Sequence, residues 1–278
     1  MKVGCWAAAG SVVLGALSFF HTDRPLIFAH RGGGALGPEN TFAAFDMGMA
    51  SGADGLELDV HLSKDGVAVV CHDDTLERTT DASGLVRALT AVELAQVDAG
   101  CRFCDAGGAY PFRGRGVTIP RLRDVLLRYP NARVIVEMKV DDAAMGLAIV
   151  EDIRESGAEH RVCAAGYGQR SMEAVRRTLP GLATSASHPE VHAALYRSWI
   201  GWPVRRPPYG GYQVPEKAGL IRVVSPRFIR HAHRAGTRVQ VWTVDEEADM
   251  RRLLQWGVDG LISNRPDIAV RVRNDGVP

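Results

Sequence analysis

The sequence predicts a single (β/α)₈ barrel, and three observations carry that prediction. From Leu26 onward, short apolar runs alternate with amphipathic stretches, the pattern of βαβ units on a parallel sheet. About eight such units can be placed, which suits a closed barrel better than an open doubly wound sheet, the alternative architecture. The 278 residues fit one α/β barrel of roughly 250 residues as well as they fit two smaller domains. Composition agrees with a globular chain: 46% of residues are apolar and 23% charged. The net charge of +1 leaves no global basic field, so nucleic acid is not an expected partner.

The elements follow in order. Residues 3–20 carry no charge and follow Lys2. That stretch is short for a spanning helix and long for the apolar core of an export signal. Ala16-Leu17-Ser18 resembles a small-x-small cleavage site, and Gly4, Gly10 and Gly15 make a poor soluble helix. Residues 1–20 are therefore expected to be a signal peptide or a membrane anchor, with a buried N-terminal helix as the alternative. Either targeting reading puts the body outside the cytoplasm, exported or held on the periplasmic face of a membrane. The apolar runs predict strands at 26–29, 55–60, 67–71, 134–138, 162–165, 182–185, 222–225, 239–243 and 260–262. Amphipathic stretches predict helices at 41–51, 122–129, 143–156, 169–178, 189–196, 226–235, 246–256 and 266–273. The barrel then spans 25–273.

Two segments break the rhythm. Residues 73–117 are too long for a simple βα loop and are expected to form a small insertion on the rim. Residues 197–217 hold Trp199, Trp202, Tyr209 and Tyr212 with Arg197, Arg205 and Arg206. That mixture suits either a surface that is apolar on one side and wet on the other, or a packed loop. Five scattered cysteines do not make a disulfide framework. Cys101 and Cys104 form one CxxC without the second ligand pair of a zinc site, and Cys5 is too near the start for a lipoprotein signal.

The chemistry gathers at the ends of the apolar runs. Glu57 and Asp59 are two apart on a strand, so both face the same side. Side by side within a barrel they are costly unless a cation joins them. Glu137 would arrive from another part of the ring. Three carboxylates suit a hard divalent ion, Mg²⁺ or Ca²⁺, rather than zinc. His30 and His72 each end an apolar run. One imidazole can take a proton from an attacking hydroxyl while the other protonates a leaving oxygen. Arg31 and Lys139 add positive charge at the same mouth and favour an anionic tetrahedral centre such as a phosphodiester. The Gly32-Gly33-Gly34 turn allows close approach of backbone to a ligand.

Ala29-His30-Arg31-Gly32-Gly33, Pro38-Glu39-Asn40-Thr41, Glu57-Leu58-Asp59-Val60, His72-Asp73 and Glu137-Met138-Lys139 occur in that order. Val241-Trp242-Thr243-Val244, Gly257-Val258-Asp259-Gly260 and Asn264-Arg265-Pro266-Asp267 follow. This ordered set resembles the glycerophosphodiester phosphodiesterase family. The resemblance implies a (β/α)₈ barrel and metal-dependent hydrolysis of glycerophosphodiesters to glycerol 3-phosphate and an alcohol. It implies His30 and His72 as the acid–base pair, and Glu57, Asp59 and Glu137 as metal ligands. Arg31 and Lys139 become phosphate contacts, and Trp242 lines the glycerol pocket. Glu39 stands behind them, orienting His30 or the ion. The insertion at 73–117 matches the family's own. The family often has Asp where Asn264 stands, a position expected to lie past the main cluster. The aromatic segment at 197–217 looks more like relatives that act on lysophospholipids and N-acyl lipid phosphodiesters. Together with residues 1–20 it suggests an alternative, a membrane-associated lysophospholipase D that releases lysophosphatidic acid. Two further rivals are a phospholipase-C-like enzyme acting on lipid headgroups and a barrel that only binds them. The matched acid and base groups argue against the second.

Overall fold

In the computed structural model, which describes residues 19–20, 22–203 and 207–276, the chain alternates strand and helix around one ring. Strand β1 (Leu26–His30) leads into helix α1 (Phe42–Ala50), and β2 (Gly55–Leu62) is followed by the short β3 (Ala68–Val70). The insertion carries a 3₁₀ turn (Val86–Ala88) and α2 (Ala91–Leu94). Then come α3 (Leu122–Arg128), β4 (Arg133–Met138), α4 (Ala143–Glu155), β5 (Val162–Gly166), α5 (Gln169–Thr178) and β6 (Ala183–Thr184). The last part holds α6 (His188–Ile200), β7 (Gly211–Pro215), the hairpin β8 (Lys217–Ala218) and β9 (Ile221–Arg222), and α7 (Pro226–Arg234). It ends with β10 (Arg238–Trp242), α8 (Glu247–Gln255), β11 (Gly260–Ser263) and α9 (Pro266–Asn274).

The parallel strands run in the order β6-β5-β4-β2-β1-β11-β10-β7. A parallel bridge between Ser185 and Gly211 joins the two ends of that path. Ala186 N donates to Gly211 O at 2.9 Å and Gly210 N to Thr184 O at 3.0 Å, so the sheet is nearly closed. The expected (β/α)₈ barrel is present. Two expected strands are not staves of it. The run at 67–71 is β3, an antiparallel partner of β2 off the ring. The run at 222–225 is mostly the approach to α7, with only Arg222 in the β8–β9 hairpin. The stave that replaces them is β7, from within the aromatic segment at 197–217, and it pairs in parallel with β10 over its whole length. Its residues Tyr212 and Val214 are buried.

Alternation along the staves sorts the side chains. On β2, Leu56, Leu58 and Val60 pack outward against α3, α4 and β4's apolar side, while Glu57 and Asp59 point into the ring. On β1, Phe28 fills the interior and His30 stands above it at the mouth. The interior is layered: Phe28, Ile135, Cys163 and Ile262 pack together, and Phe19, Phe20 and Leu26 join them at the base. Phe20 lies against Gly211, where a Cβ would come within 2.7 Å of its ring, and Arg133 Nε donates to Phe19 O at 3.2 Å. The targeting segment expected at 1–20 otherwise lies outside the described residues, as do Cys5, Arg205 and Arg206. No described helix is long and apolar enough to cross a membrane.

The insertion has a small core of its own, in which Leu76, Val86, Leu94 and Val97 pack against Val69 and Ile119. Cys101 and Cys104 are both free thiols, the first buried and the second exposed.

Helix α1 is pressed against the turn that follows β1. Gly48 makes this possible: a Cβ there would lie 2.5 Å from Gly32 O and 2.7 Å from the Ala29 Cβ. Alanine is the better helix former by about 1 kcal/mol. The clash should still dominate, so Gly48→Ala is expected to lower stability by roughly 1–3 kcal/mol in urea unfolding. An unchanged or higher midpoint would mean that the turn can retreat from the helix.

Candidate active site

Strand register builds the site. His30 on β1 pairs with Glu57 on β2, and Asp59 on β2 pairs with Glu137 on β4. Four chemically active side chains thus reach one mouth from three adjacent staves. His72 and Lys139 follow β3 and β4. All six, with Arg31 and Trp242, line a single cavity of about 820 Å³ including its open mouth. Tyr167 and His188 form part of the opposite wall.

The turn after β1 carries unusual backbone. Arg31 has φ 51° and Gly32 φ 87°, and Asn40 closes the loop at φ 59°. A side chain at Gly32 would meet Phe45 at 2.6 Å, so glycine is required there for space as well as for its angle. In return, the turn aims Arg31 N at Glu57 Oε2, 3.0 Å away. Asn40 N donates to Arg31 O at 2.9 Å. Asn40 Nδ2 then donates to Asp59 Oδ2 at 2.9 Å.

The three carboxylates crowd. One oxygen from each of Glu57, Asp59 and Glu137 lies within 4.8 Å of the others. Burial pushes the Glu57 carboxyl well above its ordinary range, and the charges of Asp59 and Glu137 push it the same way. Burial also raises Glu137; Lys139 opposes this and Asp59 adds to it. Lys139 Nζ lies 2.9 Å from Glu137 Oε1 and 3.4 Å from Asp59 Oδ1. Burial works against the Lys139 charge, but these two carboxylates outweigh it and raise its pKa. Arg31 Nε stands 3.3 Å from Asp59 Oδ2 without the alignment of a hydrogen bond. The donor set fits a hard divalent cation. Such an ion holds oxygens at about 2.4 Å, so its ligands stand no more than about twice that distance apart. An all-oxygen, all-anionic cluster also supplies the charge that such an ion requires.

Each histidine has a separate partner. His30 Nδ1 lies 2.8 Å from Asn264 Oδ1, and its Nε2 is 3.9 Å from Glu57 Oε2. Burial, then the Arg31 charge, lowers the His30 pKa. His72 Nδ1 lies 2.6 Å from Asp73 Oδ1. Burial raises Asp73, but hydrogen bonds from Arg78 and His72 prevail and bring it to about 2. Arg78 comes from the insertion and also donates to both oxygens of Glu39, at 2.8 and 2.7 Å. Glu39 accepts from Arg31 Nη1 at 2.9 Å as well. Glu39 was expected to orient His30 or the ion; its hydrogen bonds go to Arg31 and Arg78 instead and do not reach His30.

The structure brings His30, Arg31, Glu57, Asp59, His72, Glu137, Lys139 and Trp242 to one cavity, with Glu39 behind Arg31, whereas Cys101, Cys104, Trp199 and Trp202 do not line it. It adds five. Asn264 sits against His30 rather than beyond the cluster, and Asp245 stands behind it at 2.8 and 2.9 Å. Asn40 and Arg78 are described above. His61 Nε2 lies 3.0 Å from the backbone carbonyl of His72 and tethers that segment to β2. Asn40 and Asn264 lay within the quoted motifs, so a signal existed for them. Arg78 had none, since nothing in a loop sequence shows which side chain folds back.

A phosphoric diester hydrolase is the class that this barrel and site define. The family model for the glycerophosphoryl diester phosphodiesterase family matches residues 30–268. The chain belongs to that family. A glycerophosphodiester phosphodiesterase of Caldanaerobacter subterraneus is 31% identical over 258 residues, covering 91% of this chain and 99% of the relative. One of Bacillus altitudinis is 33% identical over 258 residues, covering 90% and 98%. Among solved structures, a glycerophosphodiester phosphodiesterase of Agrobacterium tumefaciens superposes with a TM-score of 0.73 at 26% identity, covering 89% of this chain and 99% of that one. The corresponding domain of a Mycobacterium tuberculosis protein shares the fold with a TM-score of 0.79 at 23% identity, over 91% and 100% of the two chains.

The crowding predicts a stability signature. The folded-state pKa of Glu57 is raised, so its ionisation opposes folding above that pKa, and the cation-free protein should gain stability as pH falls through it toward the ordinary carboxylate range. Glu57→Gln removes this penalty. At pH 7 without divalent cation, its melting temperature should equal or exceed that of the parent. Added Mg²⁺ or Ca²⁺ should stabilise the parent by about 2.7 kcal/mol at a hundred times Kd, and the variant much less. Equal stabilisation of both by the cation would remove Glu57 from the ligand set.

Proposed function

We propose that this chain hydrolyses glycerophosphodiesters to glycerol 3-phosphate and an alcohol, with Mg²⁺ or Ca²⁺ held by Glu57, Asp59 and Glu137. The observation that carries this reading is the convergence of two separately oriented imidazoles and a three-carboxylate cluster on one cavity. The relatives of Caldanaerobacter subterraneus and Bacillus altitudinis, both named for this activity, support it. A cation bound at the carboxylates supplies charge neutralisation at the non-bridging phosphate oxygens. Arg31 and Lys139 add fixed positive charge beside the same oxygens. Trp242 offers an apolar wall for the glycerol carbons.

His30 is the base. Burial and Arg31 keep its ring neutral near pH 7, and it takes the proton from the glycerol 2-hydroxyl or from water as that oxygen attacks phosphorus. His72 is the acid. Asp73 Oδ1 accepts from the His72 Nδ1 and orients the ring, so that the opposite nitrogen can give a proton to the departing alcohol oxygen. If the glycerol hydroxyl attacks, the bond to the alcohol breaks as a cyclic phosphate forms. Water then opens the ring with the two histidines exchanging roles.

Export or membrane attachment through the N-terminal segment is part of the same proposal. The uncharged run at 3–20 supports it, as do the exposed Tyr196, Trp199 and Trp202 around the end of α6. Cleavage after Ser18 would leave Phe19 and Phe20 in the barrel.

Glycerophosphocholine incubated with the protein and a divalent cation should yield glycerol 3-phosphate and choline, and chelator should stop it. His30→Ala and His72→Ala should each lower kcat by roughly 10²–10⁴-fold while calorimetry shows cation binding retained. Near-parent turnover in either variant would end the acid–base assignment. Lysophosphatidic acid formed from lysophosphatidylcholine, with the soluble diester left intact, would replace the substrate named above.

A further inference from the structure

Asp245 and Asn264 lie outside the carboxylate cluster, yet their hydrogen bonds point at His30 from behind. Asp245 follows β10, and Asn264 follows β11, its neighbour in the ring. Asp245 Oδ1 accepts from Asn264 N at 2.8 Å and from Ser263 Oγ at 3.0 Å. Asp245 Oδ2 accepts from Asn264 Nδ2 at 2.9 Å. An ionised carboxylate only accepts, so the amide NH₂ of Asn264 must face it. The amide oxygen is left facing His30 Nδ1 at 2.8 Å. That oxygen can only accept, so Nδ1 must carry the hydrogen. In the neutral ring, Nε2 then bears the lone pair, on the cavity side near Glu57. The turn after β1 is held to the same residue, because Ala35 N donates to Asn264 O at 3.3 Å.

We propose that Asp245 and Asn264 are positioning residues that set the tautomer of His30: Asp245 fixes which way the Asn264 amide points, and the amide fixes which ring nitrogen is free to take a proton. Neither touches the reacting atoms. The proposal rests on the reading of His30 as the base. A flipped amide would turn its NH₂ toward Nδ1. The hydrogen of the neutral ring would move to Nε2, and the lone pair would face away from the cavity.

The pair has a property that a merely packed pair lacks: its two side chains can be exchanged without losing a bond. In the double variant Asp245→Asn with Asn264→Asp, the new carboxylate accepts from His30 Nδ1 and from the new amide NH₂. The new amide oxygen accepts from Ser263 Oγ and from the backbone N–H of residue 264. Either single change breaks this logic. Asp245→Asn sets two amide groups face to face and frees the Asn264 amide to flip. Asn264→Asp sets two carboxylates face to face.

The test uses the full chain and two readouts. Side-chain ¹⁵N NMR of histidine-labelled protein at pH 7.5, with His30 assigned by comparison with His30→Asn, reads the tautomer without turnover. Kinetics with glycerophosphocholine reads its consequence. The parent should show a protonated Nδ1 and a bare Nε2. Asp245→Asn should lose that pattern and lose roughly 10²-fold or more in kcat with KM little changed. The exchanged double variant should recover the parent pattern and most of the kcat. A bare Nδ1 in the parent overturns the proposal, as does Asp245→Asn with the parent's tautomer, or a double variant that keeps the fold without recovering the tautomer. The NMR result stands even if glycerophosphocholine is not a substrate, so failure of the proposed reaction and failure of the positioning pair are told apart.

Discussion

Electrostatic crowding at the mouth of the barrel is the constraint on which the rest of the site depends. Three carboxylates from two neighbouring staves would not share this space without positive charge, since each is buried or partly buried and lies beside the others. Arg31 and Lys139 supply part of that charge and cannot be removed without leaving the cluster uncompensated. The arginine in turn needs a backbone angle that few residues adopt, and the turn holding it needs glycine next to it. Sequence choices up to Gly48 on α1 therefore follow from the demand for compensating charge at Asp59 and Glu57.

The network also reaches outward. A continuous line of polar contacts runs from Asp59 through Arg31, Glu39 and Arg78 to Asp73 and His72. It joins the loop after β1 to the insertion on the rim. Coupling of this kind gives the insertion a part in placing His72 even though it is packed around its own small core. The two histidines are thus held by independent supports, one from the insertion and one from the last two staves.

Much of this was legible in the sequence because strand ends in a parallel barrel are where side chains converge. Spacing of two put Glu57 and Asp59 on one face, and runs ending in His30, His72 and Lys139 identified the mouth. What failed was local. The run around Val69 has the composition of a barrel stave, but composition does not reveal that its short connection to β2 makes it antiparallel. Strand β7 hides among prolines and glycines, and its inward residue is Gln213, which pairs with Gln240 inside the ring at 3.0 Å. Asn264 looked peripheral because its partner lies 234 residues away along the chain. Only closure of the ring brings the first and last staves side by side.

Phe19, Phe20 and Leu26 fill the base of the barrel, leaving the catalytic cavity open at one end. Among the described residues the cavity opens at the mouth formed by the strand ends, and entry and exit share that side. A diester has to enter before either product exists. In the reaction proposed above, the departing alcohol and the incoming water would share that passage. In that reaction glycerol 3-phosphate, attracted by Arg31 and Lys139, would compete with the next substrate for the same cavity. Traffic through that shared side would make this competition a property of the cavity's shape as much as of its chemistry.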